Sequence, residues 1–273
     1  MSGLRTFYCV RGDARTALKV SEEILQFAEE VREPDFLLHA HAQMAVSLYA
    51  LGNLVDTGAH ATKAYGYYDF ERHRTHTATY GYDPGVLVLS YLGHVTWMRG
   101  YPEQALQRNE ASVALARRVS HPYLEALALV FTIMYHALRR EVGACHASAD
   151  GLIALAQEHG FPDWWAWGTV YRGWAAALQG QHAGISEIQT GITAAETAFA
   201  EVGLPLLYAL LAEASAKVGN VTDALVAAAR GLALAEKNGE RMFEAELHRI
   251  QGSSRCKPTR PPSKTQKLVS SER

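Results

Sequence analysis

The feature that most constrains the fold of this chain is a recurrence with a period of about 40 residues. Five prolines open apolar segments at spacings of 50, 38, 40 and 43 residues: Pro34, Pro84, Pro122, Pro162 and Pro205. Turns containing glycine lie between them, at spacings of 40, 48, 80 and 39 residues: Gly12, Gly52, Gly100, Gly180 and Gly219. The gap of 80 residues equals two periods, and Arg140-Glu141 stands where a glycine turn is missing. Two independent markers share one period, which predicts a series of similar structural units.

The segments between these markers have the pattern of amphipathic helices. From Asp13 to Val31, apolar side chains recur three, four and seven residues apart, which places them on one face of a helix. Alanine is abundant and alternating β-branched residues are absent, so strands are disfavoured. Proline is tolerated in the first turn of a helix and glycine just after its end, so each period holds two helices of about 14–19 residues.

Neither helix of a pair can bury its apolar face alone, so successive hairpins must stack on one another. The predicted fold class is therefore an all-α, helical-hairpin solenoid. The predicted helices after residues 1–11 lie at about 13–31, 34–51, 54–68, 86–99, 102–119, 122–139, 142–159, 163–179, 182–201, 205–218, 221–238 and 240–251.

Small residues recur at fixed distances from the turns. They lie seven positions before the turn glycine or five positions after it: Ala45, Gly93, Gly173 and Ala212 before, and Ala17, Ala105 and Ala224 after. These offsets resemble those of the tetratricopeptide repeat, in which such residues are the close-contact points of the helix pair. Thr57 and Ile185 replace the expected alanine, and the period exceeds the usual length of roughly 34 residues. The repeats are therefore degenerate.

The repeat array is predicted to cover residues 1–251, with an inserted loop at about 69–85. Long loops in compact arrays are more often functional than not. The start within a repeat and the end in a tail lead us to expect a piece of a longer protein. The tail, residues 252–273, has six Lys or Arg, one acid and three prolines from Ser253 onward, which predicts a disordered, basic segment.

A set of short motifs runs along the array: YGYDPGV at 80–86, LRRE at 138–141, GFP at 160–162, WGT at 167–169, RGW at 172–174, LLAEA at 210–214, GER at 239–241 and EAELHR at 244–249. Together they resemble the C-terminal region of large bacterial signalling proteins. Those proteins join a class III adenylate/guanylate cyclase domain, or a DNA-binding activator domain, to a nucleotide-binding ATPase module. The resemblance implies a cytoplasmic sensor or scaffold arm that relays a signal to a cyclase or ATPase module.

The sequence has no pattern for an enzymatic site or a cofactor. It lacks the phosphate-binding loop, the dinucleotide-binding glycine pattern and the nucleophile elbow, which need defined glycine spacings. A class III cyclase needs metal-binding aspartates on a mixed sheet, and no strand-rich segment is present. The net charge of −2 creates no field that favours nucleic acid, and no apolar run reaches the roughly 18–20 residues that span a bilayer. We therefore expect a non-catalytic, cytoplasmic protein without cofactors, nucleic acid or membrane.

The twelve histidines and three cysteines do not predict a metal site. Cys9, Cys145 and Cys256 are too far apart for a disulfide framework or a zinc pattern. His73 and His76 could share a face if the insertion were helical. A metal site needs at least three converging ligands, which the spacing does not supply.

Trp167 and Trp174 are seven residues apart and hence on one helix face. They fill the core or line the groove that the first helix of each pair forms in such arrays. The same register defines the predicted partner-binding residues: Tyr49, His94, Trp97, Trp167, Trp174 and Glu213. The leading hypothesis is a scaffold for a protein or peptide partner. The alternatives are a small-ligand sensor, with a pocket between these tryptophans and the facing helix, and a piece of a parent with adenylate cyclase or ATPase activity.

Overall fold

The structure, a computed structural model, describes residues 1–198 and 201–255. Across these residues the chain forms fifteen α-helices and no β-strand: α1 Ser2–Val10, α2 Ala14–Val31, α3 Pro34–Ala50, α4 Leu54–Tyr67, α5 Phe70–His73, α6 His76–Tyr80, α7 Pro84–Met98, α8 Pro102–Val119, α9 Pro122–Leu138, α10 Val142–His159, α11 Pro162–Leu178, α12 Ala183–Thr197, α13 Leu204–Lys217, α14 Val221–Asn238 and α15 Glu244–Arg255. The predicted all-α class is confirmed.

The helices form hairpins that stack in series. The pairs are α1–α2, α3–α4, α7–α8, α9–α10, α11–α12 and α13–α14, and α15 packs on the last pair. The first helix of each pair also packs on the first helix of the next, from α3 through α7, α9, α11 and α13 to α15. These first helices form the inner wall, so the predicted helical-hairpin solenoid is confirmed.

The turns inside the hairpins have the predicted left-handed backbone. Gly12, Gly52, Gly100, Gly180 and Gly219 all have positive φ, between 76° and 90°. Arg140, which stands in for the missing glycine, has φ 61°. Residues other than glycine rarely adopt this conformation. Arg140 therefore keeps its side chain at this turn at the cost of backbone strain.

The close contacts between paired helices lie where small residues predicted them. A Cβ atom on Gly173 would lie 2.6 Å from the carbonyl oxygen of Gly184, so glycine is required for this approach of α11 and α12. Gly184 also explains the predicted irregularity at Ile185. The close contact has moved one residue toward the N-terminus, and Ile185 is only partly buried.

The two ends of the array contact each other, which the sequence did not predict. The backbone N–H groups of Glu201 and Val202 donate to the carbonyl oxygen of Val10, at 2.9 and 3.3 Å. The N–H of Arg241 donates to the carbonyl oxygen of Ala50 at 2.7 Å. The C-terminal ends of α1 and α3 therefore meet the α12–α13 and α14–α15 connections, and the inner groove becomes a channel.

Some predicted boundaries are corrected by the structure. The insertion, predicted as a loop over 69–85, contains the short helices α5 and α6. Helix α15 ends four residues beyond the predicted end of the array at 251. Residues 256–273 of the predicted tail lie outside the described residues. Within the described part of the chain, no helix is long and apolar enough to cross a bilayer.

Candidate functional site

The inner wall encloses two cavities of about 380 and 400 Å³. We call them the Trp174 cavity and the Trp167 cavity. Both are lined by Met134 of α9, Leu206 of α13, and Met242 and Phe243 between α14 and α15. The two cavities are therefore halves of one channel, and the segment that closes the array also divides it.

The Trp174 cavity has an apolar wall and a charged rim. Trp174 is only 1% exposed, and its indole Nε1–H donates to Oε2 of Glu213 at 2.9 Å. The guanidinium of Arg140 lies 2.5 Å from Oε1 of the same carboxylate and 5.9 Å from the Trp174 ring centroid. The positive φ of Arg140 costs about 1 kcal/mol relative to glycine, and the side chain that it retains reaches this rim.

A second ion pair belongs to the rim of the same cavity. Arg249 pairs with Glu246 on α15, at 2.5 Å between Nη2 and Oε1. His94 also lines the cavity, and burial lowers its pKa to about 4. The imidazole is therefore neutral at pH 7. The Trp174 cavity is thus apolar inside, with its charges confined to the Arg140–Glu213 and Arg249–Glu246 pairs.

The Trp167 cavity is rich in aromatic side chains. Aromatic side chains from α3, α7, α9, α11 and the α14–α15 connection line it: Tyr49, Tyr91, Tyr123, Phe131, Trp164, Trp167 and Phe243. Tyr123 donates its hydroxyl to Oδ2 of Asp163 at 2.9 Å. Aromatic faces next to carboxylates favour bulky apolar or cationic groups, so this half of the channel differs in chemistry from the other.

Glu240 is the acidic group at the closure point and lines the Trp167 cavity. It is 7% exposed, and its Oε2 accepts the backbone N–H of Gly203 at 3.0 Å. Oε1 accepts from the side-chain amide of Asn238 at 3.3 Å. Burial raises the pKa of the Glu240 carboxyl to about 7, although these hydrogen bonds oppose the shift.

The structure brings together five of the six predicted partner-binding residues. His94, Trp174 and Glu213 line the Trp174 cavity, and Tyr49 and Trp167 line the Trp167 cavity. A hydrogen bond of 2.5 Å between the Tyr49 hydroxyl and Nδ1 of His94 links the two groups.

Trp97 is placed differently. Its ring packs edge-to-face on Tyr135, with 5.4 Å between centroids, and it does not line either cavity in the described structure.

Three residues of the candidate site were not predicted from the sequence: Arg140, Glu240 and Phe243. Arg140 carried a signal, because it interrupts the series of turn glycines. Glu240 lies in the GER motif. This motif contacts residues that are distant in sequence, so its role in closing the array is not visible in the sequence. Phe243 had no signal in the repeat pattern.

A separate polar cluster joins the insertion to α3. One donor atom from each of Asp35, His73 and His76 lies within 4.8 Å of the others. His39, one turn after Asp35, has its Nε2 2.9 Å from Nδ1 of His76. The sequence does not predict that these ligands converge, because Asp35 lies in another repeat and the insertion was expected to be a loop.

Comparison with known proteins adds a fold relationship. No protein-family profile and no curated protein sequence matches this chain. The apo form of RapI is similar in structure, with a TM-score of 0.57 and 11% identity over 92% of this chain and 97% of that one. A Rap protein complexed with Competence and Sporulation Factor has a TM-score of 0.56 and 15% identity, over 92% of this chain and 76% of that one. TTC0263, a thermophilic TPR protein of Thermus thermophilus, has a TM-score of 0.47 and 18% identity, over 80% of this chain and 98% of that one. At these identities, the Rap structures show a shared fold.

Proposed function

We propose that this chain is a non-catalytic scaffold that binds a segment of a protein partner inside its inner channel. The observation that supports this proposal is the contact between the two ends of the array, which turns the inner groove into a channel with apolar walls. Concave apolar cavities with a few placed polar groups are the usual form of binding sites. Inner surfaces of solenoids are likewise the usual partner-binding surfaces.

The chemistry of the channel defines the partner segment. The two halves, at about 380 and 400 Å³, accept bulky apolar or aromatic side chains, and Phe243 lines both of them. The ion pairs of Arg140 and Arg249 at the rim offer polar contacts to the backbone of the segment. Buried aromatic anchors supply most of the binding energy in such interfaces. The complex of a Rap protein with Competence and Sporulation Factor supports the view that a fold of this kind accommodates a bound factor.

The test uses a random peptide library displayed on phage and the purified full chain as bait. Met98 lines the Trp174 cavity and is 38% exposed, so Met98→Trp fills the entrance without disrupting the core. We expect this variant to weaken the selected peptides at least tenfold in a fluorescence-anisotropy titration. Val55→Trp on the outer helix α4, where the side chain is 64% exposed, is the matched control. Failure to select peptides, or equal affinity in both variants, contradicts the proposal.

A small-ligand sensor is the second candidate, favoured by the aromatic Trp167 cavity with its buried carboxyl, Glu240. A sensor of this kind would give saturable quenching of tryptophan fluorescence by one member of a metabolite panel. The quenching should be weaker in Trp167→Phe, in which Trp164 is the remaining tryptophan of this cavity. Quenching that is unchanged in this variant would place the ligand elsewhere.

The finer part of the proposal is that the partner is a cyclase or ATPase module of a bacterial signalling protein. Its support is the sequence resemblance, whose GER motif at 239–241 provides the contact to Ala50 that closes the channel. Binding of a purified cyclase or ATPase module of such a protein is tested by titration with the purified chain. Cyclic AMP production by the purified chain itself would contradict the non-catalytic assignment.

A further inference from the structure

The insertion and α3 bring together three side chains that can ligate a metal, and a fourth, His39, lies beside one of them. Asp35 and His39 are four residues apart on α3, and His73 and His76 are three apart in α5 and α6. Asp35, His73 and His76 each offer a donor atom within 4.8 Å of the others. Donor atoms on one tetrahedral zinc ion lie about 3.3 Å apart, because Zn–N and Zn–O bonds are about 2.0–2.1 Å long. Small side-chain rotations therefore close the site.

Two distances in the cluster already match this spacing. Nε2 of His73 lies 3.1 Å from Oδ1 of Asp35, and Nε2 of His39 lies 2.9 Å from Nδ1 of His76. Imidazole nitrogens with one carboxylate are a donor set that suits Zn²⁺.

The Nε2 lone pair of His73 can become available to a metal while Nδ1 keeps a hydrogen bond to the Asp69 backbone. Its Nδ1 lies 2.7 Å from the carbonyl oxygen of Asp69 and 2.9 Å from the Asp69 backbone nitrogen. With a proton on Nε2, the ring donates to Asp35 and accepts from the Asp69 N–H. With the proton on Nδ1, the ring donates to the Asp69 carbonyl, and Nε2 is free to bind a metal. A backbone carbonyl that accepts the second ring N–H is the usual support of a metal-binding histidine.

The surroundings supply further support for the donor groups. The hydroxyl of Tyr82 lies 2.9 Å from Nδ1 of His39 and orients that ring. The guanidinium of Arg72 contacts Oδ1 of Asp35 at 2.7 Å. Arg72 is half exposed, at 53%, so it can turn toward solvent when a cation binds the carboxylate.

We propose that Asp35, His73 and His76, with His39 as the fourth donor, form a Zn²⁺ site that fastens the insertion to α3. In the metal-bound state the His39–His76 hydrogen bond is replaced by two bonds to zinc. The site connects the second hairpin to the insertion before α7, and it is separate from the inner channel. Zinc binding would therefore stabilise the folded conformation of the insertion.

The experiment measures Zn²⁺ binding by the full chain after removal of metal with a chelator. Competition with a chromophoric zinc chelator gives the affinity and stoichiometry, and Co²⁺ substitution gives a visible absorption band characteristic of tetrahedral ligation. We expect one Zn²⁺ per chain. Asp35→Asn and His76→Gln should each lose at least a hundredfold in Zn²⁺ affinity and lose the Co²⁺ band.

His146→Gln is the matched control, because Nδ1 of His146 pairs with Asp150 at 3.2 Å one helical turn away on α10. This variant should bind Zn²⁺ as the wild type does. We expect Zn²⁺ to raise the melting temperature of both proteins equally. His76 and Asp35 are partly exposed, and circular dichroism in chelator verifies that their variants remain folded. Absence of Zn²⁺ binding by the folded wild type, or equal affinity in all variants, overturns the proposal and leaves a proton-linked polar network.

Discussion

Replacement of Glu240 by glutamine tests whether the carboxyl that joins the α12–α13 and α14–α15 connections is buried and protonated. Glutamine is nearly isosteric with the protonated acid, and its side-chain oxygen can accept the Gly203 N–H that Oε2 accepts at 3.0 Å. Glutamine cannot ionise. The variant therefore removes the charge and keeps the Gly203 contact, but its amide nitrogen cannot accept the Asn238 N–H that Oε1 accepts at 3.3 Å. This loss does not depend on pH.

The size of the effect follows from the shift in pKa. Burial raises the pKa of Glu240 from 4.5, the value for an exposed glutamate, to about 7. A difference of 2.5 pH units at about 1.4 kcal/mol per unit gives about 3 kcal/mol. Between pH 4.5 and 7 the folded chain holds a proton that the unfolded chain has released. The wild type therefore loses up to about 3 kcal/mol of stability from this group as pH rises through the range, and most of the loss is complete above pH 7.

Buried histidines act in the opposite direction. Burial lowers the pKa of His39 to about 3 and the pKa values of His41 and His94 to about 4. Their contribution to stability increases as pH rises toward 6.5, the pKa of an exposed histidine. The difference between wild type and Glu240→Gln cancels these contributions and isolates the carboxyl.

The assay is urea unfolding at pH 5, 6, 7 and 8, followed by circular dichroism. We expect the stability of the glutamine variant relative to the wild type to be about 2.5 kcal/mol greater at pH 8 than at pH 5. Glu236→Gln, at an exposed position on α14, is the control and should follow the wild type. A difference between wild type and Glu240→Gln that stays constant from pH 5 to 8 would refute the assignment of a raised pKa.

Two further predictions concern the packing that shapes the channel. Gly173→Ala should lower the free energy of unfolding by about 2–3 kcal/mol in urea titrations, because its Cβ would lie 2.6 Å from the Gly184 carbonyl oxygen. Gly143→Ala, with open space around the added Cβ, should instead be stabilising by about 0.5–1 kcal/mol, and equal effects of the two would contradict the close-contact argument. Asp83→Ala should cost about 1–2 kcal/mol, because Asp83 is buried and caps α7 by accepting the Val86 N–H at 2.9 Å. Thermal melts that coincide with the wild type would show that this cap contributes nothing.

Helix positions could be predicted because their signals are local. Proline at the start of α9 and a left-handed residue after it, Arg140, constrain backbone angles irrespective of the rest of the chain. The insertion was the exception. Residues 70–80 lack the length for a recognisable helical period, so α5 and α6 form through their contacts with α3 and neighbouring loops.

For the candidate site, the sequence predicts only which residues share the face of a single helix. The seven-residue spacing placed Trp167 and Trp174 on the inner wall, but each lines a different half of the channel. The residues that line both halves come from other repeats: Met134, Leu206, Met242 and Phe243. Trp97 has the same register and nevertheless packs against Tyr135, a contact that the spacing within one helix does not predict.

The amino-acid sequence by itself determined that the chain forms stacked helical hairpins, since periodic apolar faces and turn residues act over a few residues. Only the tertiary structure decided that the array closes on itself, through Arg241 and Ala50, and that Asp35 meets His73 and His76. Small rotations between neighbouring hairpins accumulate over the whole array. Contacts between distant repeats depend on that accumulated curvature, which no single repeat encodes.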